Sequence, residues 1–318
     1  MMFNKKLGVK VLVCALFTAP AVSTAGVSPD LPYPTGDVTA DQIIDQVYFV
    51  NHFYALKNFA ITKKGRDITV LVSKAQGEKP STNTLERYLN NNYKDDATIR
   101  AKDLAIFRSG KLKGTGMLIT DYDDDAKSQS YMIWLPALRK IRRFAQPAHD
   151  DAWGGTDFTF GDVVLRKPHN ETHELLGKAT FEGCLGAMDI PADQRSRYTK
   201  SLPEAACTPK GKEVYKVKST TKFENWWYDS RISYIDTKTF ADYRTEYFKG
   251  GEQVKVLDRD WKSLNMSDPR AQAWGYWYGK TTATGHETWA VIPDKVVVSN
   301  GDFKEKLWTE KTLRKIKR

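Results

Sequence analysis

Two clusters of polar residues in this sequence carry the side chains of metal chemistry. His169 and His173 stand four apart with Glu174 adjacent, a spacing that on a helix would present two imidazoles to one metal ion. Pro168 and its polar neighbours oppose a helix there, so a solvated loop is the better reading. Asp121, Asp123 and Asp125 alternate like the opening of a calcium loop. The sixth position is Ala126 and the twelfth is Met132, so the glycine turn and the bidentate glutamate are both missing. A hairpin tip is expected instead. The chain holds no Gly-x-Ser-x-Gly elbow, no phosphate loop and no His-Glu-x-x-His, the arrangements that would supply a nucleophile, a phosphate cradle or a zinc pair. No catalytic residue, metal or cofactor is assigned, and an enzyme is not expected.

A third grouping is aromatic. Between Lys212 and Tyr278 lie 15 of the chain's 38 aromatic residues, enough to form either an aromatic core or a pocket for an amphiphile. Trp226-Trp227-Tyr228 and Trp274-Gly275-Tyr276-Trp277-Tyr278 stand out. Strict alternation along a strand would put Trp274, Tyr276 and Tyr278 on one face and Trp277 on the other. Trp226, Tyr228, Trp274, Tyr276 and Tyr278 are therefore candidate ligand-binding residues. Lys222, Arg231 and Arg244 fall among them, suited either to anionic headgroups or to a solvated face.

Something must hold these residues in place. Thr39-Ala40-Asp41-Gln42 has capping-box spacing, with Val38 and Ile43 placed as a hydrophobic staple. Ile43, Val47, Val50 and Tyr54 recur at helical spacing and predict an amphipathic helix of about five turns. About a dozen short strands are expected after it, including Val163 to Arg166 and Trp226 to Ile235, with a short helix near Thr84 to Asn90. Strands at this spacing argue for an antiparallel meander. So large a sheet must curl, close or be covered on one face. The expected fold is mainly β (α+β): an unclosed antiparallel β-barrel, or strongly curved sheet, covered by the N-terminal amphipathic helix and short helices.

Composition sets the compartment. The 318 residues carry a formal charge of +10, and the mean hydropathy of -0.54 excludes a multi-span helical membrane protein. Lys5, Lys6 and Lys10, the apolar run Val11 to Val22 and Ser23-Thr24-Ala25 have the layout of a cleavable signal peptide over residues 1–25. Its removal takes the charge from +10 to +7, and leaves residues 26–318 as one domain in a Gram-negative periplasm. No nucleic-acid partner is expected there, and a monomer is. In an oxidising compartment the remaining pair, Cys184 and Cys207, favours a disulfide over two buried thiols. Such a bridge would contribute roughly 3 kcal/mol by restricting the unfolded chain.

One segment is specific enough to resemble a family. Tyr131-Met-Ile-Trp-Leu-Pro-Ala-Leu-Arg-Lys-Ile-Arg-Arg-Phe144, followed by Gly154-Gly-Thr-Asp-Phe-Thr-Phe-Gly-Asp162, is similar to the outer-membrane lipoprotein-sorting, or LolA-like, family in its longer branch. Thr156 and Phe160 stand where that branch usually has Ser and Tyr. The resemblance implies an apolar cavity between a curved sheet and covering helices. It implies carriage of a lipid or lipoprotein towards the outer membrane, with an RND/MMPL-type inner-membrane permease as candidate partner. Trp134 and Leu135 join the candidate ligand contacts. Ile43, Val47, Val50 and Tyr54 form a candidate lid, and Arg139, Arg142, Arg143, Asp157 and Phe158 belong to the motif. Two other readings remain open. One is an envelope binding module that holds a permease or glycan without shuttling. The other, an integral outer-membrane β-barrel, is opposed by the opening helix and the basic end Arg314 to Arg318.

Overall fold

The computed structural model describes residues 26–200 and 202–316. The expected signal peptide and the last two residues of the basic tail lie outside them. Thr39 caps α1 (Ala40–Asn51). Its Oγ1 accepts from the Gln42 amide at 3.2 Å, and Gln42 Oε1 accepts from the Thr39 amide at 2.9 Å. Both halves of the capping box thus form and occupy two backbone donors that a helix start leaves open. The helix is shorter than expected, 12 residues instead of five turns. It stops because Phe53 turns left-handed, with φ at 55°. The Tyr54 amide then donates to Phe49 O at 3.1 Å and the Phe53 amide to Val50 O at 3.0 Å, the paired bonds of a Schellman ending. The left-handed region disfavours a bulky residue. Phe53 is held there by burial and by stacking on Phe59, ring centroids 4.0 Å apart.

One antiparallel sheet of 15 strands makes up the rest. Its first seven strands are β1 (Asn58–Ile61), β2 (Thr69–Lys74), β3 (Ser81–Asn90), β4 (Ile99–Phe107), β5 (Gly116–Tyr122), β6 (Ser130–Leu135) and β7 (Lys140–Phe144). After a linking segment come β8 (Glu171–Thr180), β9 (Glu213–Thr221), β10 (Ser230–Asp236), β11 (Asp242–Lys249) and β12 (Glu252–Ser263). The last three are β13 (Gln272–Thr281), β14 (His286–Val291) and β15 (Val297–Ser299). Sequence neighbours pair, except that β14 closes onto β2 and β1 bridges β3 and β15. β7 and β8 are the two edges, so the sheet curls without closing. This is the expected mainly-β architecture, and the open edges depart from an integral barrel.

The inner face is identified by what it encloses. Side chains from β2–β5 and from β13 and β14 meet one linking segment, Trp153 to Val164. The outer face carries two covers. Near the N-terminal edge, Trp308, Leu313 and Ile316, on and around α2 (Glu310–Arg314), pack on Leu104, Ile106 and Leu118. Behind β11–β13 run residues 181–200 and 202–212, pinned by the Cys184–Cys207 disulfide. Burying each of its large apolar anchors, Phe181, Leu185, Met188 and Ile190, contributes about 1.5–3 kcal/mol.

Several local expectations give way to tertiary structure. Thr84 to Asn90 lies in β3, paired with β2, β1 and β4, not in a helix. Val163 to Arg166 is not a strand. Its first three residues complete a π-helical turn, Gly161–Leu165, begun where the Asp162 side chain accepts from the Thr159 amide at 2.9 Å. Trp226, Trp227 and Tyr228 precede β10 in its turn. His173 sits within β8, not in a solvated loop; its Nδ1 is 2.9 Å from Ser219 Oγ and its Nε2 is 3.0 Å from Pro168 O.

Candidate ligand cavity

The aromatic strand β13 is not regular. Trp261 pairs with Trp274 and Asp260 with Tyr276, so Gly275 is the extra residue of a bulge. A Cβ on Gly275 would lie 2.0 Å from Asp260 Oδ2 and 2.8 Å from Lys262 Cε, so glycine allows the strand to bend there. The bulge overturns the expected faces. Trp274 and Trp277 lie together, ring centroids 4.9 Å apart, on the inner face. Tyr276 and Tyr278 turn outward beneath the disulfide segment. Tyr276 Oη accepts from the Ala206 amide at 2.9 Å, and Tyr278 donates to Glu287 Oε1 at 2.6 Å. Gly186 lies against the Tyr278 ring, where a Cβ would come within 2.3 Å of it.

Trp274 and Trp277 form one wall of an apolar cavity of about 70 Å³. Leu71, Leu85, Ala105, Met117 and Ile119 line another wall together with the Arg87–Asp103 ion pair at 2.7 Å, and Trp153, Phe158, Val163 and Val164 pack in from the linking segment. Phe158 meets Trp277 edge-on at 5.4 Å. Gly279 makes room for this contact: a Cβ there would sit 3.0 Å from Phe158 Cε1 and 3.2 Å from Asp157 Cβ. The Trp274 and Trp277 indole N–H groups are buried and have no hydrogen-bond partner among the described residues.

Two carboxylates fasten the filling segment. Asp157 accepts from Thr281 Oγ1 at 2.5 Å and Thr288 Oγ1 at 2.8 Å, and lies 2.6 Å from His286 Nδ1. Asp162 accepts from Lys255 Nζ at 2.5 Å, Arg166 Nη2 at 3.0 Å and Tyr247 Oη at 2.5 Å. Burial alone would raise the Asp162 carboxyl, but Lys255 and Arg166 outweigh it and hold it well below the usual carboxylate range.

Asp162 belongs to a buried ionic region under α1. Glu171 and Arg231 pair at 2.6 Å, with Tyr228 donating to Glu171 at 2.8 Å. Arg259 pairs with Asp242. Burial raises Glu171, and Arg231 followed by Arg166 brings it down to about 2. Ile44 and Val47 of α1 roof this region around a hollow of about 60 Å³. Ile43 and Val50 are buried in the main core, and Tyr54 lines a smaller hollow beside Val163.

Of the candidate ligand contacts, then, Trp274 reaches the apolar cavity, with Phe158 of the motif across from it. Trp134 packs against the α2 cluster outside, and Leu135 closes β6 opposite Lys140. Trp226 packs tilted against Phe223 and edge-on to His149, outside the lining of that cavity. Arg139 makes the β6–β7 turn with φ at 48°, Arg142 is exposed, and Arg143 pairs with Glu310 at 2.6 Å. Among the linings that sequence reasoning missed are Trp153, Val163, Val164, Met117 and Ile119. The ionic cluster left one readable signal: Lys255 and Arg259 share the phase of buried Leu257 on β12.

A family model described as "Uncharacterized protein" matches residues 100–203. No curated protein matches the chain. Among solved structures, an outer membrane lipoprotein-sorting protein domain from Vibrio parahaemolyticus is similar with a TM-score of 0.62 at 14% identity, over 87% of this chain and 98% of that one. A DUF1329 family protein from Desulfovibrio piger gives 0.62 at 13% identity, over 87% and 100%. A LolA superfamily protein from Nitrosomonas europaea gives 0.51 at 10% identity, over 87% and 100%. Together with the open curled sheet and its enclosed segment, these likenesses identify the fold as that of the LolA-like lipoprotein-sorting proteins.

Proposed function

We propose that this protein is a periplasmic carrier that takes the acyl chains of a lipid or lipoprotein into the apolar cavity. The observation that carries the reading is the cavity between the tryptophan pair and β2–β5, filled by a segment of the chain itself. Hiding one methylene from water gains about 0.8 kcal/mol, so an acyl chain brings ample driving force. The indole N–H groups of Trp274 and Trp277 suit the ester carbonyls of such a cargo. An engineered apolar cavity of about 150 Å³ holds one benzene, so a cavity of about 70 Å³ must widen to admit an acyl chain. Trp153 to Val164 is the segment whose withdrawal would widen it. α1 roofs the ionic region instead, so its candidate role is to hold that side while the segment moves. Export by the signal peptide over residues 1–25, a monomeric state and delivery with an RND/MMPL-type permease complete the proposal.

The firmly fastened segment favours one alternative, a module that holds its partner without shuttling. Transfer of a fluorescent phospholipid between two vesicle populations separates the two. The carrier reading expects transfer to rise with protein concentration, and lipid adducts in native mass spectra of protein taken from the bacterial envelope. Absence of both adducts and transfer would overturn it.

A further inference from the structure

A larger hollow lies on the other side of the sheet. It encloses about 570 Å³ and is walled by Lys63, Arg66, Arg108, Arg197, Tyr198 and Thr84, with no acidic residue in its lining. Ile68 and Thr84 border it, while their neighbours Thr69 and Leu85 line the apolar cavity. Alternation along β2 and β3 therefore puts the two hollows on opposite faces. Glu86 binds Arg108 through two nitrogens, at 2.8 and 3.1 Å. Lys63, Arg66 and Arg197 have no carboxylate partner among the described residues. The nearby Asp67 is engaged by Lys295 at 3.7 Å. Arg197 is held in place: its Nη2 is 2.5 Å from Tyr198 Oη, and its guanidinium lies 4.6 Å from the Tyr198 ring centroid.

Like charges around one concave wall repel one another, and a bound anion relieves that repulsion. Guanidinium groups favour phosphate because they donate in parallel pairs. The volume falls within the roughly 300–1,000 Å³ usual for small-molecule sites, so there is room for more than a bare ion. We propose that this hollow binds a phosphate-bearing group, as a soluble phosphate or as an anionic lipid headgroup. The site is independent of the acyl cavity and stands or falls apart from the carrier reading. The disulfide segment supplies one side of it and the β1–β2 turn the other.

Calorimetry with inorganic phosphate and with pyrophosphate, and flotation with phosphatidylcholine vesicles with or without phosphatidylglycerol, test it. The comparison uses the full chain, the double variant R66Q/R197Q, and the control K304Q/K306Q on a separate exposed stretch. Arg66 and Arg197 are exposed, and circular dichroism verifies that the variant folds. Binding of at least one probe is expected, weakened about tenfold or more in R66Q/R197Q, unchanged in the control and reduced by added salt. Binding of free phosphate assigns a soluble ligand; binding confined to phosphatidylglycerol vesicles assigns a headgroup. No binding to any probe, or equal loss in the control, would overturn the proposal.

Discussion

The inner face of this sheet has two halves with opposite chemistry. Across β2–β5, β13 and β14 the walls are mostly aliphatic and indole, and their ion pair, Arg87–Asp103 at 2.7 Å, stands beside Trp274. Under α1, β8–β12 contribute Glu171, Arg231, Asp242, Lys255 and Arg259, whose charges are tied pairwise by hydrogen bonds. The linking segment touches both, with Phe158 in the first and Asp162 in the second. An apolar wall adapts to a change of shape at modest cost. A buried ion pair does not: it adds little over a well-packed apolar pair, yet loss of one partner strands the other. The first half is therefore suited to accommodating a variable guest, and the second to holding one geometry.

The largest expected effect breaks the ionic half. Asp162→Ala leaves Lys255 and Arg166 buried without their carboxylate and should cost about 4 kcal/mol in urea unfolding. A loss below about 1 kcal/mol would erase the distinction between the halves. Next, Leu71→Ala in the apolar half should cost about 3 kcal/mol. Unlike the first variant, it should increase uptake of an apolar fluorescent dye, because it widens the cavity that Leu71 lines. The last effect, absent at neutral pH, is acid dependence. Glu171 falls from its ordinary 4.5 to about 2 in the fold. Its stabilisation is thus present above pH 4.5 and lost as pH drops towards 2, an effect of about 3 kcal/mol. Glu171→Gln should flatten the unfolding profile in that window, whereas Leu71→Ala should shift the profile without changing its slope.

Local signals were legible where the chemistry is local. Thr39 and Gln42 name the helix start by themselves, since the cap is made by residues three apart. Strand spacing gave the curled sheet, and the motif through Phe158 gave its type. What could not be read is set by distant partners. Leu85-Glu86-Arg87 has helical propensity, but pairing on both sides makes it strand. Val163 and Val164 look like strand residues, yet Asp162 ties its own turn to Lys255, far along the chain. The face of Tyr276 and Tyr278 was hidden for a subtler reason: the bulge lies in the pairing with β12, not in the side chains of β13.

A strand counts its residues by parity, odd to one side and even to the other. Gly275 resets that count once. Upstream and downstream of it, the same parity means opposite destinations: Trp274 faces inward, Tyr276 and Tyr278 outward. Loss of Gly275 itself would leave a regular strand with Trp274 and Trp277 still inward and both tyrosines outward. Loss of one paired residue, with the bulge kept, would instead reverse every side chain beyond the cut. In this strand the length of the chain, to within one residue, is as much a part of the cavity as the identity of any side chain that lines it.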